Sequence, residues 1–316
     1  MNDQQLFSAK VPLEHAGRRL DQVLAELFPQ FSRSRLQGWI KRGYVSLDQQ
    51  TCTAKQKVFG GECVSMQAVV ETVHHDVAQD TDFEVVFEDP DFLVINKPVG
   101  LVVHPAAGHH DGTLMNGLLF RYPELKHLQR AGIIHRLDKD TSGLMVVARS
   151  MSAHHALTKQ LQERRIGRRY RALVHGEMVA GGSVEAAIGR HPSVRIKMAV
   201  RADGKPALTH YRVKQRFKGF TCLDVALETG RTHQIRVHMS HIGYPIVGDP
   251  VYRGRLHWPK GTPAVVIAEL RNFQRQALHA YAIELNHPGN GEPMQWQQAL
   301  PNDMAELITL IGQTMS

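Results

Sequence analysis

The stretch HRLDKDTSGLMVVARS, residues 135–150, places two carboxylates, Asp138 and Asp140, directly before an apolar run. The apolar residues 144–148 are typical of a short strand buried on both faces. Polar residues on a loop that a buried strand holds in place are a common location for chemistry. Either carboxylate could act as a nucleophile or as a proton acceptor. An aspartate beside Thr-Ser-Gly can equally cap a turn.

The composition narrows the class of protein. The 316 residues carry 38 Lys and Arg against 30 Asp and Glu, a net charge of +8 that favours a polyanionic partner such as nucleic acid. No apolar run approaches the ~20 residues that span a bilayer, and the first residues do not form a secretion signal. The three cysteines have no metal-ligand spacing. We therefore expect a cytoplasmic protein without a membrane segment.

Several kinds of chemistry lack their motifs. The sequence has no GxxxxGK[ST] loop, no GxGxxG after a strand and no GxSxG elbow, which removes support for ATP, NAD and acyl transfer. His233, His238 and His241 lie close together, but no HExxH frame accompanies them. We expect no metal and no cofactor, and local hydrogen bonds or contacts with RNA for these histidines.

The N-terminal region predicts a small separate domain, residues 1–70. RRLDQVLAELF and FSRSRLQGWIK have apolar residues at helical spacing, with Ser32 as the N-cap of the second helix and Gly43 beyond its end. Strand-like segments follow. The order resembles the alpha-L RNA-binding motif of a ribosomal protein, and its candidate RNA-binding residues are Arg33, Arg35, Lys41 and Arg42. The alternative is a basic helix face that simply contacts solvent.

Residues 71–81 have no clear periodicity and are predicted to be a linker, and residues 82–316 to be one large catalytic domain. A hairpin is predicted for FEVVFEDPDFLVINKP. Further strands are predicted at RYRALVHGEM, ALTHYRVKQRF, FTCLDVALE and ALHAYAIEL, and helices at AHHALTKQLQERR, THQIRVHMSHI and DMAELITLIGQ. This pattern predicts an α+β fold with a mainly antiparallel or mixed sheet and flanking helices.

Four segments of the chain together resemble the ordered motifs of the RluA family of pseudouridine synthases. They are NKPVGLVVHP (96–105), GIIHRLDKDTSGLMVVARS (132–150), RRYRALVHGEM (168–178) and ETGRTHQIRVHMSHIGYPIVGDPVYRG (228–254). The resemblance implies the pseudouridine synthase fold and the isomerisation of uridine in RNA to pseudouridine, in which uracil is detached, rotated and rejoined through C5. That reaction requires no cofactor or metal.

The resemblance also implies roles for individual residues. Asp138, rather than Asp140, would be the catalytic aspartate, and it could attack the sugar, attack the base or accept a proton. Arg231 would form an ion pair that keeps this carboxylate charged, although it could instead contact RNA phosphate. Tyr170 would stack on the uracil and remove the C5 proton, and Ile235 would pack beneath it.

Further candidates concern the extrusion of the target base from its stack. By analogy with the family, Arg136 and His135 would hold the displaced strand, and Asn96, Lys97 and His104 would shape the same cleft. The Asn-Lys-Pro-x-Gly segment could equally be only a turn.

The segments GRHPSVRIKMAV, GKPALTHYR and FQRQALHA resemble one branch of this family. The branch resemblance implies action on clustered uridines of 23S ribosomal RNA or the assembling large subunit, by a protein that we expect to be a monomer. The alternatives are the same chemistry on other rRNA or tRNA uridines, a base-excising glycosylase, and a non-catalytic RNA-binding protein of ribosome assembly.

Overall fold

The computed structural model of the chain describes residues 3–29, 31, 33–70, 77–105, 109–194, 196–254 and 259–315, without the side chains of residues 3–5, 34, 35 and 68–70. The chain forms two compact units, Met1–His74 and His75–Ser316. Each unit has its own hydrophobic core.

The N-terminal unit packs two short helices against a small antiparallel sheet. Its elements are β1 (Asp3–Lys10), a 3-10 turn (Leu13–His15), α1 (Leu20–Leu27), α2 (Arg33–Lys41), β2 (Val45–Leu47), β3 (Gln50–Thr51) and β4 (Cys63–Val70). The strand order is β1-β4-β2-β3, and the apolar faces of both helices form the core. Both predicted helices are confirmed, and Gly43 follows α2 with a positive φ of 79°, a conformation that favours glycine. The predicted cap Ser32 lies outside the described residues.

The second unit is built on one large sheet. Its strands are β5 (Glu84–Glu88), β6 (Phe92–Lys97), β7 (Ser142–Ala148), β8 (Gly167–His175), β9 (Gly182–Glu185), β10 (Ile188–Arg190), β11 (Met198–Val200), β12 (Leu208–Phe217), β13 (Phe220–Leu227), β14 (Leu278–Asn286) and β15 (Pro293–Gln297). Its helices are α3 (Leu114–Arg121), α4 (Met151–Gln162), α5 (Gln234–His241), α6 (Ala264–Asn272) and α7 (Asn302–Thr314), with 3-10 turns at Pro123–His127 and Gln129–Gly132.

Nine strands of this unit form a single mixed sheet. The order is β5-β6-β7-β14-β8-β13-β12-β9, and β15 pairs with β14. Within the described residues the β7–β14 pair is the one parallel contact of the sheet, and its register has two residue pairs, Ser142 with His279 and Gly143 with Ala280. The α+β class, the mixed sheet and the β5–β6 hairpin are therefore confirmed.

The short parallel contact is a close one. An added Cβ on Gly143 would lie 2.2 Å from the backbone oxygen of Ala280. Ser142 Oγ also lies 2.8 Å from His279 Nδ1, and Gln276 donates to Thr141 Oγ1 at 2.9 Å. These contacts join the β5–β6–β7 part of the sheet to the part that contains β8.

Both faces of the sheet are covered. Leu93 and Ile95 of β6 enter the larger core, which also receives α3, α5, α6 and α7, whereas Phe92 and Val94 enter a second core under α4. All seven residues of β7 are buried, which confirms the prediction for residues 144–148. None of the described helices has the length and apolar character needed to cross a membrane.

The sequence patterns did not predict α3, α6, β9, β10, β11 or β15. Helix α3 starts at a capping box, in which Thr113 and Asn116 exchange hydrogen bonds. Of the predicted linker, residues 71–76 lie outside the described residues. Val77 and Gln79 hydrogen-bond to Asn116, and Gln79 also accepts from the Gly112 N–H.

Candidate active site

Asp138 lies on the loop between the Gln129–Gly132 turn and β7. The loop is fixed at its start by a bridge between Ile133 and Val147 of β7, and at its end by a hydrogen bond from the Thr141 N–H to the Asp138 backbone oxygen at 3.1 Å. The Asp138 side chain is 16% exposed. A rigid buried strand therefore presents a carboxylate that is still accessible from one side.

The ion-pair partner of Asp138 is Arg236, and the prediction that Arg231 forms this pair is wrong. Arg236 Nη1 donates to Asp138 Oδ2 at 3.0 Å. Arg231 is exposed and precedes α5, with its Nε donating to the Pro206 carbonyl at 3.0 Å. Because α5 begins at Gln234, Arg236 lies in its first turn and faces the interior. Arg231 still lines the mouth of the cleft, where it can contact RNA.

Arg236 is itself held by a second carboxylate. Its Nε and Nη2 donate to the two oxygens of Asp249 at 2.7 and 3.0 Å, a bidentate pair. Asp249 is fully buried and also accepts from the N–H groups of Val251 and Tyr252. Burial lowers the pKa of Arg236, but hydrogen bonds and charges from Asp249 and Asp138 outweigh it, so the pKa is raised overall. The cation beside Asp138 is therefore permanent and oriented.

His233 approaches the other oxygen of Asp138. Its Nε2 lies 3.9 Å from Asp138 Oδ1, and its Nδ1 lies 2.8 Å from the Tyr252 hydroxyl. That hydroxyl accepts from the Met198 N–H, which leaves its proton for His233 Nδ1 and favours the tautomer with the hydrogen on Nε2. Burial lowers the pKa of His233, while the Asp138 charge opposes this. A neutral histidine thus directs an N–H toward the carboxylate.

Tyr170 and Ile235 line the same cleft as Asp138. The cleft has a volume of about 850 Å³, which is ample for a nucleotide. Tyr170 on β8 is 5% exposed. Burial raises the pKa of its hydroxyl, the Arg168 charge lowers it and the Asp138 charge raises it, with a net rise. The phenol is therefore protonated at neutral pH.

Three of the predicted strand-holding and cleft-shaping residues also line the cleft: His104, His135 and Arg136. His135 Nε2 accepts from the Val146 N–H at 3.0 Å, and its Nδ1 is buried without a partner among the described residues. Its ring therefore anchors the loop to β7 and cannot offer an open nitrogen to a displaced strand. Burial, together with the Arg168 charge, lowers the pKa of His135 to about 3. Arg136 is exposed and remains a candidate for that contact.

Lys97 and Asn96 do not line the cleft, in contrast to their predicted role. Lys97 is fully buried and donates to the carbonyls of Pro98, Leu101 and Lys139 at 2.7, 2.9 and 3.0 Å. It therefore ties the turn after β6 to the loop of Asp138. Burial lowers its pKa to about 7, against the charges of Asp140 and Asp138. Asn96, on the opposite side of β6, donates to Glu84.

The predicted RNA-binding residues of the N-terminal unit differ in their contacts. Arg33 donates to the buried carboxylate of Asp21 from Nε and Nη2, at 3.1 and 2.8 Å. Its side chain is still 44% exposed. Lys41 and Arg42 are exposed at the end of α2, and the side chain of Arg35 lies outside the described residues.

Two groups of side chains contain residue types that can bind a metal. His238 has its ring nitrogens 2.8 Å from Thr209 Oγ1 and 2.9 Å from the Ala186 carbonyl, the local hydrogen bonding that the sequence predicted. Asp89, Asp91 and His287 could together surround an ion. However, His287 Nδ1 accepts from the Gly289 and Asn290 N–H groups. Its Nε2 then carries the hydrogen and faces Asp89.

Comparison with known proteins agrees with this fold. The RNA pseudouridylate synthase family matches residues 91–241, and the S4 domain matches residues 18–62. The solved human protein RNA Pseudouridylate Synthase Domain Containing 4 has the same fold, with a TM-score of 0.57 at 24% identity over 72% of this chain and 93% of its own. The chain belongs to the RNA pseudouridylate synthase family and is an isomerase.

Its relatives identify the branch. It is 54% identical to Ribosomal large subunit pseudouridine synthase D of Xanthomonas campestris pv. campestris, over 98% of this chain and 93% of the relative. It is 52% identical to the protein of the same name from Pseudomonas aeruginosa, over 99% of this chain and 98% of the relative. It is 50% identical to the one from Escherichia coli, over 96% of this chain and 94% of the relative. The predicted family and branch are thereby confirmed, as is an RNA-binding type of domain at the N-terminus.

Proposed function

We propose that this enzyme converts clustered uridines of 23S ribosomal RNA to pseudouridine, with Asp138 as its catalytic residue. The observation that carries the proposal is the Asp138 carboxylate, held at one oxygen by the buried Arg236 and accessible in a cleft that Tyr170 also lines. The choice of large-subunit RNA rests on the names of the relatives that cover nearly the whole chain.

Asp138 supplies the reactive group without a cofactor. A carboxylate that is fixed and ionised can attack the sugar or the base, or take a proton from the sugar. Arg236 keeps it charged, and the His233 N–H stabilises the same charge from the other side. Tyr170 is positioned to stack on the detached uracil. Because its phenol is protonated, it takes the C5 proton late in the reaction only by relay, giving its own proton to a base, for which the Asp138 carboxylate in the same cleft is the candidate. Ile235 supports the ring from below.

RNA would approach through a basic rim. Arg136 and Arg231 are exposed at the cleft, and Arg130 and His104 line it. Burial and the charges of Arg130 and Arg136 lower the pKa of His104 to about 4, so it is neutral and adds no charge. The arginines can contact the phosphates of RNA whose target base has been extruded. The N-terminal unit would add affinity through its own basic residues. Cytoplasmic location and a monomeric state stay predictions.

The test is a map of pseudouridine in total RNA from cells that express the wild-type protein, Asp138→Ala or no protein. We expect pseudouridine at clustered 23S positions only with the wild type. If the pseudouridine that depends on the protein lay at other rRNA or tRNA positions, those positions would be the substrate instead. If Asp138→Ala left the modification unchanged, Asp138 would not be the catalytic residue. A purified Asp138→Ala protein should still bind RNA. If the wild type bound RNA but formed no pseudouridine, the protein would be a non-catalytic RNA-binding protein of ribosome assembly.

A further inference from the structure

Arg168 is a buried cation in the wall of the active-site cleft to which the reaction, as derived above, gives no role. It lies on β8 two residues before Tyr170, so both side chains leave the same face of the strand. It is 7% exposed and lines the cleft together with Asp138 and Tyr170. Its neighbour Arg169 points the other way, is 54% exposed and pairs with Glu284 at 3.1 Å.

The guanidinium of Arg168 has no countercharge within the described part of the chain. Its Nε is buried and lacks a hydrogen-bond partner there. Burial lowers the pKa of Arg168, and the neighbour that counteracts this is Tyr170, whose own raised pKa keeps it neutral. His135, on which the charge of Arg168 also acts, is neutral as well.

The surrounding backbone makes room for this side chain. A Cβ on Gly230 would lie 2.8 Å from Arg168 Nη1, so the absence of a side chain at position 230 allows the guanidinium to reach the segment that borders the cleft. That segment, from Glu228 to Arg231, lines the cleft and leads into α5. The guanidinium therefore packs closely against the backbone at Gly230, in the wall of the cleft.

A buried, unpaired guanidinium is costly to a fold, because its desolvation is not offset by an anion. The chain provides such offsets elsewhere: Arg236 has Asp249 and Asp138, and Arg275 has Asp303. A side chain that has this cost and faces a cleft is suited to an anion that arrives with the ligand. In RNA, the permanent anion is the phosphate, which a guanidinium can bind through two parallel N–H groups.

We propose that Arg168 binds one of the two phosphates that flank the flipped uridine, and so fixes the nucleotide whose base stacks on Tyr170. The inference rests on the proposed function. Alternate residues of a strand are about 6.5 Å apart, which separates the two side chains along the cleft wall. One side chain then holds the backbone of the nucleotide and the other holds its base.

The test pairs protein variants with modified RNA. Pseudouridine formation is measured under single-turnover conditions with an RNA stem-loop that contains the target uridine, and with the same RNA bearing a neutral methylphosphonate at the phosphate on its 5′ side or on its 3′ side. With unmodified RNA, we expect Arg168→Met to raise the RNA concentration needed for half-saturation, or to lower the single-turnover rate, by about 10- to 100-fold. Arg168→Lys should recover part of this loss, and Arg169→Met, the control on the opposite face, should change it by less than about threefold.

The modified RNA distinguishes phosphate binding from a structural role. For the wild type, one of the two methylphosphonates should reproduce the defect, and it should add nothing further in Arg168→Met, because both changes remove the same contact. Arg168→Met should also unfold at the same temperature as the wild type or higher, since it removes an unpaired buried charge.

Additive defects at both phosphates would overturn the proposal and point instead to a contact with the base. A large fall in unfolding temperature for Arg168→Met, with no coupling to either phosphate, would overturn it in favour of a structural role. These failures are distinct from failure of the proposed function, in which the wild type would form no pseudouridine in the unmodified RNA.

Discussion

Arg231 and Arg236 lie five positions apart in one motif, and the structure predicts opposite consequences for their loss. Arg236 donates three hydrogen bonds to two carboxylates and is 5% exposed. Arg231 is exposed, and its side chain donates a hydrogen bond to Pro206. The matched substitutions Arg236→Met and Arg231→Met therefore test the assignment of the ion pair directly.

The size of each effect follows from the contacts. Removal of one partner of a buried ion pair costs about 3–5 kcal/mol. Asp249 would keep two backbone N–H donors, so we expect the lower end, about 3 kcal/mol, for Arg236→Met. Arg231→Met should change the free energy of unfolding by about 0.5 kcal/mol or less, as exposed substitutions usually do. Arg236→Lys should be intermediate, because a single ammonium cannot serve both carboxylates bidentately.

Two assays on the full chain separate the outcomes. Urea denaturation gives the free energy of unfolding, and single-turnover pseudouridine formation at saturating RNA gives the rate of the bound complex. We expect Arg236→Met to lower that rate on the order of 100-fold or more, because the charged group that holds the reactive carboxylate is lost. Arg231→Met should weaken RNA binding and leave the rate nearly unchanged.

The reverse pattern of effects would refute this assignment of the ion pair. If Arg231→Met destabilised the fold and abolished the bound-state rate while Arg236→Met did neither, the ion pair described above would not be the one that supports catalysis.

Three further predictions concern pH, the loop of Asp138 and the N-terminal unit. His135 and His279 have pKa values of about 3 and about 4 because they are buried, so below pH ~6.5 the unfolded chain binds more protons than the folded one. The free energy of unfolding should therefore fall as the pH drops from ~6.5 toward 4, by up to about 1.4 kcal/mol per pH unit for each histidine. A flat profile in urea titrations across this range would contradict it. Lys97→Met should reduce turnover without weakening RNA binding, because Lys97 holds the Lys139 carbonyl, whereas Asn96→Gln should leave turnover intact; equal effects in kinetic assays would refute this. Asp21→Asn should destabilise the N-terminal unit by about 2–4 kcal/mol, since Asp21 accepts from Arg19, Arg33 and Gln37, and hydrogen exchange across α1 and α2 would show whether it does.

Much of the catalytic unit could be predicted because its patterns are local. The β5–β6 hairpin, the buried β7 and helices α4, α5 and α7 follow from periodicity and turn residues. Helix α3 was missed because Asn116 and Gly117 interrupt its short apolar pattern. Helix α6 was missed because a run of β-branched residues, Val265 to Ile267, does not favour a helix by propensity.

The sequence predicted which residues line the site better than it predicted which of them pair with one another. The loop of Asp138, Tyr170 and Ile235 meet in one cleft, but the partner of Asp138 depended on where α5 begins. His233 has a positive φ of 57°, and this turn directs Arg236 inward while Arg231 stays outside. The second carboxylate, Asp249, lies in the same segment 228–254, but spacing along the sequence did not show that its side chain meets Arg236. Lys97 and Asn96 were assigned to the cleft together, although neighbouring residues of a strand point to opposite faces of the sheet, and neither of them lines the cleft.

The short parallel contact between β7 and β14 affects how precisely the active site is assembled. The loop of Asp138 enters the sheet through β7, and Tyr170 belongs to β8 on the other side of β14. The distance between the Asp138 loop and Tyr170 is therefore set at this joint between β7 and β14, which has two residue pairs. The close approach of Gly143 to Ala280 tightens it. Insertions and larger side chains should be tolerated in the outer loops of this unit but not at this joint, where a shift by one position would displace the acid from the aromatic ring. Directed evolution of substrate range would accordingly find its accepted changes at the rim of the cleft and almost none along residues 141–143 and 276–280.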